Sequence, residues 1–414
     1  MIIDSKKYNG LCECGKHHEM TTEYSVIESG CLKDFDKIVK EYGLGGYSVA
    51  IYDENTYLAT KGIHPSASYE IILTAENLHA DNHGIELAEK QLPAKCDYLI
   101  AVGAGTIHDI TRYLAHKYSI PFVSCPTAAS VDGFCSSVAV ITWNGFKNTF
   151  TAVAPKLVIA DLDVIVNASK RLTNSGFGDM IGKFIALTDW QIANVLTGEY
   201  LCPKIFDLTK TATQAVIDSV NGVKNQEITA YEKLTYGLLI SGLAMQMLGY
   251  SRCASGAEHH ISHFIEMNPK VLGVNSTALH GEKVGVGTLI ACKVYHELAK
   301  NNNPTFNDYS PVASEVINEI FGTELSGAVI KENEKNCMAS ITKDLLKAKW
   351  GEIQKIILTL PTYEQLLEKY RILGANESLS DIQVPETALD NIIKYSPLIR
   401  NRLTLMRLKR LITE

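Results

Sequence analysis

Short apolar segments alternate with longer amphipathic ones from about residue 47 onward. β-Branched and aromatic residues dominate the short segments, which predicts strands, whereas apolar residues spaced by three or four positions predict helices at about 82–92 and 106–118. Strands that alternate with helices are typical of βαβ units and a parallel sheet. The predicted strands are Tyr47–Asp53, Glu70–Ala75, Asp97–Val102, Ile120–Cys125 and Lys156–Asp161.

The pattern changes near residue 168. The Asn144–Gly145 pair predicts a hairpin before the last strand, and beyond that strand we expect helices only. We therefore predict an α/β N-terminal domain with a Rossmann-like parallel sheet (1–168) and an all-α C-terminal domain (169–414). The segment from Leu234 to Ser251 is uncharged but interrupted by glycines and polar residues, which indicates a buried helix rather than a membrane span. Further helices are predicted at about 206–219, 227–249, 284–299, 338–347, 361–372 and 386–412.

Composition argues against several classes of protein. At 414 residues, with 46% apolar and 21% charged residues, the chain resembles an average globular protein of two domains. Its net charge is −7 and the charges are interspersed, so we expect no nucleic-acid partner and no membrane insertion. The N-terminus lacks the apolar run of a signal peptide. Ten scattered cysteines favour reduced thiols in a cytoplasm over a disulfide framework.

Two loops follow successive strands of the predicted sheet. In the first, Gly103-Ala104-Gly105-Thr106-Ile107-His108-Asp109, glycines at a helix N-terminus would let backbone amides approach a pyrophosphate. A strict dinucleotide fingerprint has a third glycine where this chain has His108, and a tight turn alone also explains the other two. The second loop, 126–137, is rich in hydroxyl groups and follows the carboxyl end of a strand, where open α/β sheets bind ligands.

Three of the twelve histidines lie within five residues, at 259, 260 and 263. On a helix His259 and His263 share one face, and such a pair with a third, remote donor is typical of a metal site. Solvated histidines on a polar helix would give the same pattern. We expect Asp179, after two glycines at the head of a helix, to supply an oxygen donor beside His259 and His280, although an N-cap also explains it.

A second group of metal-binding residue types lies near the N-terminus. Cys12, Cys14, His17 and His18 fall within seven residues. They could hold a zinc ion, although a complete tetrahedral site in so short a loop would be cramped. A surface segment without metal is the alternative.

The order of these motifs resembles that of sn-glycerol-1-phosphate dehydrogenase, in its bacterial branch, over about residues 40–300. This family is related to glycerol dehydrogenase, the iron-containing alcohol dehydrogenases and dehydroquinate synthase. The resemblance implies a dehydroquinate synthase-like fold and the NAD(H)-dependent reduction of dihydroxyacetone phosphate to sn-glycerol 1-phosphate by hydride transfer to a metal-polarised ketone. It also implies a homodimer or higher homo-oligomer. The motifs are 103–109, 126–133, Gly176-Phe177-Gly178-Asp179, 255–263 and His280-Gly281.

The resemblance also implies roles for individual residues. Asp179, His259 and His280 would hold one divalent metal ion, while Asp132, Asp179 and His263 would contact the substrate and take part in catalysis. One carboxylate and two imidazoles suit Ni²⁺, Zn²⁺ or Fe²⁺; the resemblance points to nickel or zinc, and we place nickel first.

The nucleotide would bind to the N-terminal domain. Asp53 would accept hydrogen bonds from the adenosine ribose, which favours NAD over NADP, although a turn role would explain this residue as well. The remaining positions implied for the cofactor are Gly103, Ala104, Gly105, Thr106 and Ile107 at the pyrophosphate, and Thr127, Ser130 and Ser136 at the nicotinamide.

Two related activities remain as alternatives. Glycerol dehydrogenase would act on unphosphorylated glycerol or dihydroxyacetone and would need no cationic phosphate pocket, which Lys183, Arg252 and Lys283 could provide here. The residues from Glu258 to His263 fit the phosphate-using branch better. A dehydroquinate synthase-type lyase normally has glutamate as its first metal ligand, so Asp179 counts against it.

Overall fold

A computed structural model describes residues 1–143 and 146–413. The chain forms two compact units, Met1–Met180 with Gln214–Tyr250 and Ile181–Thr213 with Ser251–Glu414. The chain therefore passes between the units three times, whereas the sequence predicted one boundary between residues 168 and 169.

The elements are defined here in chain order. The strands are β1 Ile2–Asp4, β2 Gly10–Leu11, β3 His17–His18, β4 Tyr24–Glu28, β5 Ser48–Asp53, β6 Tyr69–Leu73, β7 Tyr98–Gly103, β8 Phe122–Pro126, β9 Val138–Trp143, β10 Phe146–Thr151, β11 Leu157–Asp161, β12 Thr305–Phe306 and β13 Ile412–Thr413. The helices are α1 Phe35–Glu41, α2 Glu54–Ala59, α3 Asn82–Glu89, α4 Gly105–Tyr118, α5 Leu162–Ile165, α6 Lys170–Ile181, α7 Lys183–Thr197, α8 Pro203–Asp218, α9 Val220–Lys224, α10 Ile228–Leu248, α11 Ala257–Met267, α12 His280–Lys300, α13 Ser314–Glu332, α14 Lys343–Ile357, α15 Tyr363–Leu373, α16 Leu389–Tyr395 and α17 Leu405–Leu408.

The first unit is built on a seven-stranded sheet in the order β1-β4-β11-β8-β7-β5-β6. All neighbours are parallel except β1, which is antiparallel to β4. The predicted Rossmann-like parallel sheet is thus confirmed, with β1 and β4 as strands that the sequence did not predict. β9 and β10 form the expected antiparallel hairpin, but its predicted turn, Asn144–Gly145, lies outside the described residues.

Apolar side chains cover both faces of this sheet. Along β5, Val49 and Ile51 belong to one buried cluster and Ala50 and Tyr52 to another, because successive side chains of a strand point to opposite faces. Burial on both faces explains why β5, β7, β8 and β11 are almost continuous apolar runs. Since β5, β7 and β8 are parallel neighbours, their carboxyl ends share one edge, which is the edge expected to bind ligands.

The uncharged segment near residue 240 is helical, as predicted. α10 is a 21-residue helix whose side chains are mostly buried in the first unit. Among the helices of residues 1–143 and 146–413, none is both long and apolar enough to cross a membrane.

The second unit is almost entirely helical, in agreement with the sequence. Two details differ from expectation. A small sheet pairs β12 antiparallel with β13, so the expectation of no strand beyond residue 168 is wrong at this point. The predicted helix at 386–412 is broken into short pieces, one of which contains Pro397, a residue that has no N–H to donate inside a helix.

Candidate active site

The turn between β7 and α4 leaves open backbone at a helix N-terminus. Ala104 is the extended N-cap residue of α4. A Cβ on Gly103 would lie 2.6 Å from Cβ of Ile107, so this glycine is needed for packing within the turn. A Cβ on Gly105 would meet only Cγ1 of Val131, at an ordinary 3.5 Å. Protein packing therefore does not require Gly105, and its open backbone suits the close approach of an anion.

His108 replaces the third glycine of the dinucleotide fingerprint and is buried. Its Nδ1 lies 2.9 Å from the carbonyl oxygen of Ala104, and its Nε2 lies 2.7 Å from Oγ of Ser124. A carbonyl only accepts hydrogen bonds, so Nδ1 carries the proton and Nε2 accepts from Ser124. Burial lowers the pKa of His108 to about 3. The side chain is therefore a neutral connection between the turn and β8.

The hydroxyl groups predicted to face the cofactor differ in their surroundings. Thr127 and Ser130 are buried, and within the described part of the chain Oγ of Ser130 has no hydrogen-bond partner. Oγ of Ser136 instead accepts from the backbone N–H of Val138 and donates to its carbonyl oxygen, at 3.0 and 2.9 Å. Ser130 can thus bind a ligand without losing an existing hydrogen bond, whereas Ser136 also stabilises its own loop.

Asp53 ends β5 at the same edge of the sheet. Its Oδ1 accepts a hydrogen bond from the backbone N–H of Thr56, at 2.9 Å, and its own N–H donates to Oγ1 of Thr56. Asp53 therefore has the local turn role that the sequence left open: it caps α2 in a capping box with Thr56. Its second carboxylate oxygen is not used by the cap, and the residue is only partly buried.

Asp132 and Asp179 are connected within the first unit. The backbone N–H of Asp132 donates to Oδ2 of Asp179 at 2.9 Å, and Oδ2 of Asp132 accepts from Oγ of Ser241 at 2.8 Å. Both carboxylates are buried. Two of the predicted substrate residues thus lie together, and Ser241, which the sequence did not indicate, orients one of them.

The expectation that Asp179 stands at the head of a helix is wrong. α6 begins at Lys170 and contains the aspartate near its C-terminal end. The preceding Gly176 is explained by close packing, because a Cβ there would overlap the carbonyl oxygen of Ala129.

The second unit brings the predicted histidines together on α11 and α12. The ring centroid of His280 lies 5.3 Å from that of His259 and 5.9 Å from that of His263, and the rings of His259 and His263 are also 5.9 Å apart. One ligand atom from each of His263, Glu266 and His280 lies within 4.8 Å of the others. His259 and His263, which share one face of α11, thus form a cluster of three imidazoles together with His280.

A buried carboxylate holds the ring of His259. Oε1 of Glu258 lies 2.7 Å from Nδ1 of His259 and also accepts from the backbone N–H of Gly256. Burial raises the pKa of Glu258 to about 7, although the hydrogen bond from the N–H of Gly256 and the charge of Lys183 act to lower it. With Nδ1 oriented in this way, Nε2 of His259 is the ring nitrogen that could bind a metal ion.

His280 has the same kind of support. Its Nδ1 lies 3.0 Å from Oε1 of Glu266, whose side chain is 5% exposed. Metal-binding histidines commonly donate their other N–H to a carboxylate, which fixes the tautomer and the ring orientation. The chemistry of the two histidines therefore fits a divalent cation bound through Nε2.

Asp189 fixes the start of α11. Its carboxylate accepts from the backbone N–H groups of Ala257 and Leu405 and from the hydroxyl of Tyr295, at 2.7 to 2.9 Å. Burial raises the pKa of Asp189 to about 7, whereas the charge of Arg252 and the hydrogen bonds from Leu405 and Tyr295 act to lower it. The hydrogen bonds hold the first turn of α11, which carries Glu258 and His259.

The three cations considered for a phosphate pocket have other contacts. Arg252 is fully buried, forms an ion pair with Glu199 and donates to the carbonyl oxygen of Leu403, so it stabilises the second unit. Nζ of Lys283 donates to the carbonyl oxygen of Ala278 at 2.7 Å. Lys183 is fully buried and acts electrostatically on Glu258. None of these three side chains is an exposed cation.

Sequence comparison places these motifs in a known group of enzymes. The family model for iron-containing alcohol dehydrogenase matches residues 26–169. Glycerol-1-phosphate dehydrogenase [NAD(P)+] from Bacillus licheniformis is 39% identical over 310 residues, covering 72% of this chain and 77% of the relative. The enzyme of the same name from Halalkalibacterium halodurans is 30% identical and covers 98% of this chain and 97% of its own. The chain belongs to the glycerol-1-phosphate dehydrogenase family.

Solved structures agree on the fold. Iron-containing alcohol dehydrogenase from Corynebacterium glutamicum superposes with a TM-score of 0.59 and 15% identity, covering 95% of this chain and 94% of that one. At this identity the similarity shows the fold alone. The predicted arrangement of a Rossmann-like α/β part followed by a helical part is therefore confirmed for this member of the glycerol-1-phosphate dehydrogenase family.

Proposed function

We propose that this protein is an NAD(P)-dependent and metal-dependent glycerol-1-phosphate dehydrogenase that reduces dihydroxyacetone phosphate to sn-glycerol 1-phosphate. The observation that carries the proposal is the pair of histidines whose Nδ1 atoms each meet a carboxylate, at 2.7 Å in His259 and 3.0 Å in His280. Relatives at 39% and 30% identity are named glycerol-1-phosphate dehydrogenase [NAD(P)+]. The open turn at Gly105 supports a dinucleotide cofactor.

Asp179, His259 and His280 are the residues that would hold the metal ion. A divalent cation would supply Lewis-acid stabilisation for the negative charge that develops on a carbonyl oxygen when hydride is transferred to the carbonyl carbon. One carboxylate and two imidazoles do not select among Ni²⁺, Zn²⁺ and Fe²⁺; we place nickel first and zinc second. Glu258 and Glu266 orient the two imidazoles and raise their basicity as ligands.

Asp132 and His263 would act on the substrate. The carboxylate of Asp132 is fixed by Ser241 and its backbone N–H by Asp179, which makes it a rigid acceptor for a substrate hydroxyl. His263 is partly exposed, so its ring can hydrogen-bond to the substrate oxygen and exchange a proton with it. An imidazole suits this step because its ring nitrogens can both donate and accept a proton.

The cofactor would bind along the carboxyl edge of the sheet. The N-terminus of α4, from Gly103 to Ile107, would receive the pyrophosphate, with Thr127, Ser130 and Ser136 beside the nicotinamide. The free carboxylate oxygen of Asp53 would accept from the ribose hydroxyls and disfavour a 2′-phosphate. We therefore propose NAD(H) as the preferred cofactor.

A substrate comparison tests the proposed activity. Purified protein should oxidise NADH with dihydroxyacetone phosphate at a kcat/KM orders of magnitude above that with dihydroxyacetone, and chiral analysis should identify sn-glycerol 1-phosphate. Faster turnover of dihydroxyacetone would instead assign a glycerol dehydrogenase. A product of the opposite hand, sn-glycerol 3-phosphate, would refute the assignment.

Two further properties are part of the proposal. Ten cysteines scattered along the chain favour a reducing compartment such as the cytoplasm, which we propose for this protein. We also propose a homodimer or higher homo-oligomer, which light scattering on the purified protein tests directly.

A further inference from the structure

A second group of metal-binding side chains lies at the N-terminal hairpin, far along the chain from the proposed catalytic residues. The chain reverses between β2 and β3, where the N–H of Cys12 donates to the carbonyl oxygen of Lys16 and the N–H of Gly15 to that of Cys12, both at 2.9 Å. Gly15 has a φ of +83°, which glycine adopts without strain. This tight reversal brings Cys14 back beside His18.

The tautomer of His18 is fixed by the first unit. Its Nδ1 lies 2.8 Å from the carbonyl oxygen of Met247 in the last turn of α10. Carbonyls of a last helical turn lack partners within the helix and can only accept, so Nδ1 carries the proton. The lone pair of Nε2 then points away from α10, and Sγ of Cys14 lies 3.2 Å from this atom.

The spacing of these donor atoms suits a tetrahedral ion. Sγ of Cys12, Sγ of Cys14 and a ring nitrogen of His18 all lie within 4.8 Å of one another. Zn–S and Zn–N bonds of roughly 2.3 and 2.0 Å place the donors of a tetrahedral site about 3.5 Å apart, close to the distance between Cys14 and His18. The neighbouring His17 is exposed and points to the other side of β3.

We propose that Cys12, Cys14 and His18 bind a structural Zn²⁺ ion, separate from the catalytic metal. Two thiolates and one imidazole select a thiophilic ion such as zinc, and a donor outside the hairpin or a water molecule takes the fourth position. Both cysteines are partly exposed, so the ion can reach them from solution. Because His18 bonds to Met247, the ion would fasten the hairpin to the end of α10. The inference does not depend on the proposed dehydrogenase activity.

Metal analysis of the full-length protein tests this site. We expect the wild-type chain, loaded with Zn²⁺ and freed of excess ion, to hold one equivalent more than the Cys12→Ser/Cys14→Ser and His18→Ala variants. A mercurial reagent that blocks thiols should release this equivalent alone. Replacement by Co²⁺ should give thiolate-to-cobalt charge-transfer absorption in wild type and in His259→Ala, and none in the double cysteine variant.

Two variants serve as matched controls. His17→Ala changes the adjacent exposed histidine and should retain both the second equivalent and the charge-transfer absorption. Cys31→Ser removes a thiol of the same unit whose pKa is raised by burial to about 12. This variant should also retain the second equivalent and the charge-transfer absorption. Equal zinc content in wild type and the hairpin variants, or a Cys12–Cys14 disulfide in the metal-loaded protein, would overturn the proposal. The mercurial and cobalt measurements on wild type decide the question even if a variant fails to fold.

Discussion

Oε1 of Glu258 lies 2.7 Å from Nδ1 of His259, its neighbour in the chain, and the carboxyl group is fully buried. Glu266 meets Nδ1 of His280 at 3.0 Å. Both imidazoles, one on α11 and one on α12, are thus oriented by a carboxylate of α11, so that Nε2 is the nitrogen of each ring that could bind a cation. Each carboxylate costs free energy to bury without a compensating charge, so a cation on the histidines would offset that cost.

Replacing Glu258 by glutamine should weaken metal binding without removing a ligand. The amide retains the shape of the side chain but lacks the negative charge that supports the imidazole, so we expect affinity to fall roughly 10- to 100-fold. Glu266→Gln should have an effect of the same order through His280. Competition with a chromogenic chelator measures the affinity. Glu297→Gln, at an exposed position of α12, is the control. Equal metal affinities in all three variants would show that Glu258 and Glu266 do not support the metal-binding histidines.

The three clustered histidines should separate into two classes. His259→Ala and His280→Ala should lose the catalytic metal and all measurable turnover, because each removes a proposed ligand. His263→Ala should retain the metal and lower kcat, because we propose that its imidazole acts on the substrate. Elemental analysis and steady-state kinetics on the same preparations distinguish the classes, with the exposed His116→Ala as control. Loss of metal in His263→Ala would show that the ligand set is wrongly assigned.

The two glycines of the cofactor turn should respond differently to alanine. Gly105→Ala meets only an ordinary contact of 3.5 Å, so the unfolding midpoint should stay unchanged. The added methyl should still obstruct the pyrophosphate and raise KM for NADH roughly tenfold, a loss of ~1.4 kcal/mol. Gly103→Ala places a Cβ 2.6 Å from Cβ of Ile107 and should cost about 1–3 kcal/mol of stability. An unchanged KM in Gly105→Ala would argue against pyrophosphate binding there.

Cofactor preference should depend on the charge of Asp53. Asp53→Ser removes the carboxylate but can still cap α2, so stability should be largely retained while the ratio of kcat/KM for NADPH to that for NADH rises about tenfold, equivalent to ~1.4 kcal/mol. Asp53→Ala should change the ratio similarly and lose about 1 kcal/mol of stability as well, because the cap is removed. If the ratio is the same in wild type and Asp53→Ser, Asp53 is a capping residue only.

The sequence predicted the regular elements well and the orientation of polar side chains poorly. All five predicted strands are present. In β5, β7, β8 and β11, burial on both faces of the sheet leaves an almost continuous apolar run. β4, Tyr24–Glu28, was not among the predicted strands, and its short apolar run is interrupted by Ser25. The role of Glu258 depends on the orientation of its own side chain in the first turn of α11, which the sequence does not show. The bond between Ser241 and Asp132 joins residues more than a hundred positions apart, and no local pattern signals such a contact.

His108 should make stability depend on pH in the acidic range. The folded protein binds a proton on this histidine only near pH 3, whereas an unfolded chain does so near pH 6.5. The unfolded state therefore binds more protons between these values, and the free energy of unfolding falls as pH decreases through this window.

His108→Gln keeps a donor and an acceptor without titrating. Between pH 6.5 and 5, urea unfolding should show a loss ~2 kcal/mol larger in wild type than in this variant. His116→Gln, an exposed change on the same helix, should retain the wild-type slope, and equal slopes in wild type and His108→Gln would contradict the neutral buried state.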